Sequence, residues 1–170
     1  MSTRLIVVKF VKEIVPYVVI LLVVILIRSF LVTPIKVNGQ SMYDTLTGDE
    51  IMLLYKVGNI ERYDMVVADL IVDGKKDDTL IKRVYGLPGE TIKCENGILY
   101  INDRQIDDPY ATNETSDFEA VTLGDDEYFL LGDNRVISLD SRVIGPVHRK
   151  DIEGHTNFII WPFSKFGVVE

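Results

Sequence analysis

Residues 91–102 read TIKCENGILYIN, two runs of β-forming residues on either side of Asn96-Gly97. A two-residue connection of this kind needs positive φ at both positions, which Asn and Gly accept more readily than other residues, so the stretch predicts a tight β-hairpin. Working outward, the same texture recurs. Short β-rich runs occur at Glu50–Tyr55, Met65–Val72, Leu80–Tyr85, Ile98–Ile101 and Tyr128–Leu131. Between them lie Asp73–Asp78 (DGKKDD) and Asp107–Asp117 (DDPYATNETSD), expected as polar loops, and Leu87-Pro88-Gly89-Glu90, expected as a tight turn. No useful helical periodicity follows residue 34. The expectation is a mainly β body, an antiparallel sheet closing on itself over residues 34–170.

The residues before it are different. Ile14 to Ile27, IVPYVVILLVVILI, are fourteen residues without a charge, and reading on through Arg28 to Val32 extends the run towards the ~20 residues a bilayer span needs. Arg28 falls near the end, where its stem can carry the guanidinium to headgroup level. A cleavable secretory signal has the same plan but ends in small residues, whereas Arg-Ser-Phe-Leu-Val-Thr-Pro follows here. The expected division is a basic stretch at 1–13, a transmembrane anchor at 14–33 and the body beyond. Arg4, Lys9 and Lys12 before the span put its N-terminal side in the cytoplasm and the body outside.

Charge narrows the function. Residues 1–35 carry those cations and Arg28 against Glu13 alone, a net +3. The whole 170-residue chain is −8, so the body carries −11. An acidic body argues against nucleic acid as a partner. One cysteine, Cys94, excludes an intrachain disulfide, and two histidines without metal-ligand spacing argue against a metal site.

Three clusters remain that carry chemistry: VNGQSMYDTL at 37–46, LIKRVYGLPGE at 80–90 and GDNRVISLDSR at 132–142. Ser41 sits in a Gly-containing turn, at most ~25 Å of chain beyond Pro34 and so close to the expected outer membrane face. Taken alone, Gly39 and Ser41 read as a simple turn. On a strand over 80–85, Leu80, Lys82 and Val84 share one face. Lys82 is then flanked by apolar residues, the setting in which burial can depress a lysine's pKa by ~3–5 and leave a neutral amine at pH 7. A solvated strand lysine with its stem packed on the same neighbours is the plainer reading. In the third cluster Asp133, Arg135, Asp140 and Arg142 offer ion pairs at short range.

In order along the chain, these clusters resemble the conserved boxes of type I signal peptidases (leader peptidases). The stretch at 39–46, Gly48-Asp49, Arg62-Tyr63-Asp64, Ile81-Lys82-Arg83-Val84 with Gly86-Leu87-Pro88-Gly89, Gly132-Asp133-Asn134-Arg135 and Asp140-Ser141-Arg142 all take part. The ending Trp161–Gly167 is similar to the short members typical of Gram-positive bacteria. The resemblance implies a β-rich serine endopeptidase outside the cytoplasm, needing no cofactor, that removes signal peptides from exported preproteins at the bilayer. It assigns Ser41 as nucleophile, Lys82 as general base and Ser138 as the residue that orients the lysine. It also makes Arg83 with Asp133, and Asp140 with Arg142, supporting ion pairs. Part of the oxyanion hole falls to the Ser41 backbone N–H. The chain departs from the family in having Asp44 where Pro is usual and Val136-Ile137 where Asp-Asn is common. At Gly39 some relatives carry a hydroxyl that completes the oxyanion hole. The competing class is a catalytically inactive homologue or membrane-anchored binding protein, against which the intact Ser41 and Lys82 count. Self-cleaving repressor peptidases share the Ser/Lys chemistry but carry DNA-binding domains in place of a span.

Overall fold

The computed structural model describes residues 3–72 and 75–169. A helix, α1 (Thr3–Phe30), leads the chain, with a 19-residue apolar window at Lys12–Phe30. At 1.5 Å per residue that window is about 28 Å long, the thickness of a bilayer's hydrocarbon core. Its side chains from Ile14 to Phe30 are exposed on every side of the helix, as lipid contact requires and as a core helix would not be. The helix stops at Phe30, so Val32 and Thr33, counted with the span in the sequence, open the first strand. Thr33 Oγ1 donates to the Arg28 carbonyl (2.9 Å) at this junction.

The body holds β1 (Val32–Lys36), β2 (Ile51–Tyr55), β3 (Met65–Val72), β4 (Lys75–Gly86), β5 (Thr91–Glu95), β6 (Ile98–Ile101), β7 (Arg104–Gln105), β8 (Phe118–Thr122), β9 (Glu127–Leu131), β10 (Val147–His148), β11 (Ile152–Trp161) and β12 (Gly167–Val168). A single helical turn, α2 (Ser141–Ile144), precedes β10 and is capped by the Asp140 side chain. All pairings among the described residues are antiparallel. One sheet runs β1-β2-β11-β3-β4-β9-β10 with β12 on β11, and the other runs β7-β6-β5-β8.

The hairpin at 91–102 forms as read, with φ of 53° at Asn96 and 76° at Gly97. Its inward residues Ile92, Cys94, Leu99 and Ile101 alternate with outward ones and pack on Tyr85, Phe129 and Leu131. A second cluster, Val66, Ala68, Val84, Leu130, Val147 and Ile152, lies among β3, β4, β9 and β11. The third, Val37, Met42, Leu46, Met52, Met65 and Ile159, sits under the loop that follows β1.

Two expectations change. The polar loop expected at 73–78 is mostly strand: Leu70 pairs with Asp78, Ile71 with Lys76 and Val72 with Lys75. Backbone pairing with β3 carries the ladder past the apolar residues, and exposed Lys76, Asp78 and Thr79 are served by solvent and by ion pairs from Lys76 to Asp69 and Glu153. Residues 73 and 74 lie outside the described residues. The run expected from Glu50 begins at Ile51, because the Glu50 side chain turns back to hold residues 47–49.

Candidate active site

The loop after β1 is fixed from below by apolar anchors and from the sides by backbone hydrogen bonds. Val37, Met42 and Leu46 are buried on both sides of Ser41, which stays half-exposed. Val37 N–H donates to the Glu50 carbonyl (2.8 Å), Tyr43 N–H to Gln40 (3.1 Å) and Leu46 N–H to Met42 (2.8 Å). The Ser41 carbonyl accepts from Asn134 N–H (3.0 Å), tying the first cluster to the third. Asp44 is exposed beside this closed turn. Gly39 takes φ +84°, a conformation that favours glycine, and presents no side-chain hydroxyl to the site.

Lys82 comes from β4, where residues 82–86 are buried on both faces. It is 2% exposed, and its register partner on β3 is Val66, itself fully buried. Lys82 Nζ lies 2.7 Å from Ser41 Oγ and donates to the Ile81 carbonyl at 3.1 Å. Burial pushes its pKa down from 10.5 to about 8, against the opposing pull of the Asp140 and Asp133 carboxylates. With that value about a tenth of the amines are neutral at pH 7, against roughly three in ten thousand for a free lysine.

Both carboxylates are held by arginines. Arg83 grips Asp133 with Nε–Oδ1 at 3.0 Å and Nη2–Oδ2 at 2.8 Å. It also donates to the Tyr63 carbonyl (2.9 Å) and stacks over the Tyr110 ring. Arg142 donates Nε to Asp140 Oδ1 and Nη2 to Oδ2, each at 2.9 Å, while Gly132 N–H donates to Oδ2 at 3.1 Å. Burial alone would raise the Asp140 pKa. The Arg142 guanidinium and the Gly132 amide outweigh it and hold the group below the usual carboxylate range. Bidentate pairing of this kind makes a buried charge tolerable.

The three clusters thus meet at one place. Gly132 lies between Ser41 and Ser138: a Cβ there would press on the Ser41 carbonyl and on the Ser138 side chain. Ser138 is buried, but its Oγ has no hydrogen-bond partner among the described residues, so it does not bond Lys82 in this state. Arg135 pairs with neither Asp133 nor Asp140. It donates Nη1 and Nη2 to Asp108 (2.6 and 2.8 Å) and Nε to the Gly132 carbonyl (2.9 Å). Val136 and Ile137 are exposed, at 74% and 56%, while Arg142 Nη2 bonds the Arg135 carbonyl (2.7 Å) and braces the loop. The replaced Asp-Asn pair is therefore not part of the loop's internal bonding.

Sequence reasoning missed Asp108, Thr45, Tyr110 and the buried Glu50 with its partner Lys165. Thr45 Oγ1 donates to Asp133 Oδ2 at 2.6 Å. Asp108 lies in a stretch that reads only as polar loop, and no local pattern marks it as an arginine's partner. Among the described residues no group of three or more His, Cys, Asp or Glu is placed to hold a metal.

A serine hydroxyl beside a buried lysine whose charge is destabilised is an arrangement suited to nucleophilic catalysis with the lysine as base. The sequence matches the family Signal peptidase, peptidase S26, over residues 8–161, and the chain belongs to that family. It is 34% identical to signal peptidase I of Streptococcus pneumoniae, with 94% of this chain and 97% of that protein covered. It is 37% identical to signal peptidase I S of Bacillus subtilis, with 83% of each covered. A crystal structure of a signal peptidase I from Enterococcus faecalis superposes with a TM-score of 0.50 at 30% identity, covering 58% of this chain and 97% of that one. The chain is accordingly an enzyme of the signal peptidase I type, and its apolar N-terminal helix fits that family's single-pass membrane anchor.

Proposed function

We propose that this chain cleaves N-terminal signal peptides from exported preproteins at the membrane surface, with Ser41 as nucleophile and Lys82 as general base. The observation that carries the reading is the 2.7 Å approach of Lys82 Nζ to Ser41 Oγ inside a site that depresses the lysine's pKa. Neutral Lys82 takes the Ser41 proton as Oγ attacks the scissile carbonyl carbon. The oxyanion so formed is met by the Ser41 backbone N–H, a donor aimed at charge that appears only in the transition state. The Lys82 ammonium then protonates the departing amine. In the second half Lys82 takes a proton from the water that attacks the acyl carbonyl, and returns it to Ser41 Oγ as the bond to the acyl group breaks.

Ser138 is assigned as the residue that orients Lys82, from its buried place next to Gly132 and the Ser41 carbonyl. The body lies outside the cytoplasm, with the anchor from Ile14 to the helix end at Phe30 and the basic residues before it on the cytoplasmic side, as the flanking charges direct. The short chain from span to Ser41 keeps the nucleophile near the bilayer, where a preprotein's own apolar signal is held. A binding protein that had merely kept the fold would have no use for a buried lysine facing a half-exposed serine. The test is incubation of the purified full chain in detergent with a preprotein. A single cut releasing the signal peptide is expected from the native chain and none from Ser41→Ala. A variant without the hydroxyl that still cuts would dismiss the assignment.

A further inference from the structure

We infer that the ion pair between Glu50 and Lys165 is a positioning device for the nucleophile loop, acting on the backbone that carries Ser41. The inference rests on the peptidase reading above. Glu50 is fully buried, and its carboxylate gathers five donors. Oε1 accepts from Thr47 N–H (3.0 Å), Thr47 Oγ1 (2.7 Å) and Lys165 Nζ (2.6 Å), and Oε2 accepts from Gly48 N–H (2.9 Å) and Asp49 N–H (3.1 Å). Lys165 Nζ also donates to Thr47 Oγ1 at 2.9 Å, and it reaches Glu50 across 115 residues of sequence. Burial would raise the Glu50 pKa, yet Lys165 and the Thr47 donors hold it well below the carboxylate range, so the anion is permanent at working pH.

What this carboxylate holds is the support of the nucleophile loop. The main-chain carbonyl of Glu50 takes the Val37 N–H, fixing the loop where it leaves β1. The turn its side chain closes sets Gly48 against the Gly39 carbonyl, so close that a Cβ at Gly48 would collide with it. Gly39 is two residues before Ser41, whose N–H must meet the oxyanion. Lacking a Cβ, it can leave its φ of +84° for other conformations unless a neighbour stops it. Lys165 sits in a single 3₁₀ turn, Phe163–Lys165, closed by its own N–H on the Pro162 carbonyl (2.9 Å). The clasp therefore presses one rigid turn on the backbone behind the nucleophile.

Lys165→Met keeps the stem and removes the charge, leaving Glu50 its four local donors. With the full chain in detergent and a preprotein substrate, kcat should fall about tenfold or more with KM within about twofold, since small misplacements of reacting groups act on the chemical step. Lys165→Arg should restore most of kcat, and the apparent pKa of the kcat/KM profile should stay near the native value, because Lys82's own surroundings are untouched. Urea unfolding gives the folded fraction, so kcat refers to folded enzyme only. A kcat for folded Lys165→Met within about twofold of native, or a loss confined to KM, would overturn the inference while leaving the peptidase reading standing. Failure of the native chain to cleave removes that reading and this one together.

Discussion

Replacing Lys82 by Met should abolish cleavage and make the protein more stable. Met preserves most of the stem's volume and carries no charge. The native lysine's pKa falls from 10.5 unfolded to about 8 folded. At pH 7 that displacement means folding bears a penalty of about 3 kcal/mol for a group only 2% exposed. Losing the contact with Ser41 Oγ gives back roughly 1 kcal/mol, so a net gain of about 2 kcal/mol is expected. The sign also depends on pH. Below about 8 the penalty is present in full. Between about 8 and 10.5 the unfolded lysine still binds a proton that the folded one has lost, so native stability rises with pH and the gap to Lys82→Met closes. Above about 10.5 both states are neutral and the gap vanishes, apart from the lost contact. Urea unfolding of both proteins in one detergent, followed by fluorescence of Trp161, the chain's single tryptophan, measures the gap at pH 7 and again at rising pH. A Met variant no more stable at pH 7, or a gap that does not change with pH, would refute a destabilised charge at Lys82. Cleavage by Lys82→Met would refute its role as base.

The native kcat/KM should rise with pH through an apparent pKa of about 8, and Asp140→Asn should move that midpoint down, because the Asp140 charge raises the lysine's pKa. A midpoint that moves up in the pH–rate profile would contradict this electrostatic account. Gly132→Ala should lower kcat by about a hundredfold and destabilise by about 1–3 kcal/mol, since its Cβ must displace the Ser41 carbonyl or the Ser138 side chain. Native kinetics together with a native urea midpoint would show that this contact is not tight.

The features legible in the sequence were those set by local chemistry. Asn96-Gly97 dictates its own turn geometry, and the alternation Leu80–Tyr85 puts Lys82 among apolar neighbours whatever the sheet's topology. The strand over 75–78 is not legible in the sequence because β pairing there is imposed by β3, and exposed charged residues such as Lys76 and Asp78 carry no signal of it. The partner of Arg135 was equally hidden. Asp133 and Asp140 are near it in sequence, yet Arg135 turns to Asp108, since Arg83 and Arg142 already fill both nearer carboxylates. Glu50 and Lys165 are linked only by the fold. Their positions record a contact between chain segments that no spacing rule connects.

The two arginine–aspartate pairs explain how a lysine can act as base so close to two carboxylates. Unpaired, Asp133 and Asp140 would favour the ammonium form and cancel the effect of burial. Arg83, itself 2% exposed, and Arg142 hold those carboxylates in ion pairs, and the upward pull that both still exert on Lys82 is smaller than the effect of burial. Desolvation then dominates, and Lys82 reaches a pKa of about 8. The Asp140 carboxylate also caps α2 through the Arg142 N–H and receives the Gly132 amide, so a group that bears on the lysine's charge also holds the segments around it. Catalytic electrostatics and the closure of the 132–142 loop are in this way one set of bonds. A substitution at Asp140 should therefore change the pH midpoint and the loop's stability together, whereas one at Lys165 should change the rate without moving the midpoint.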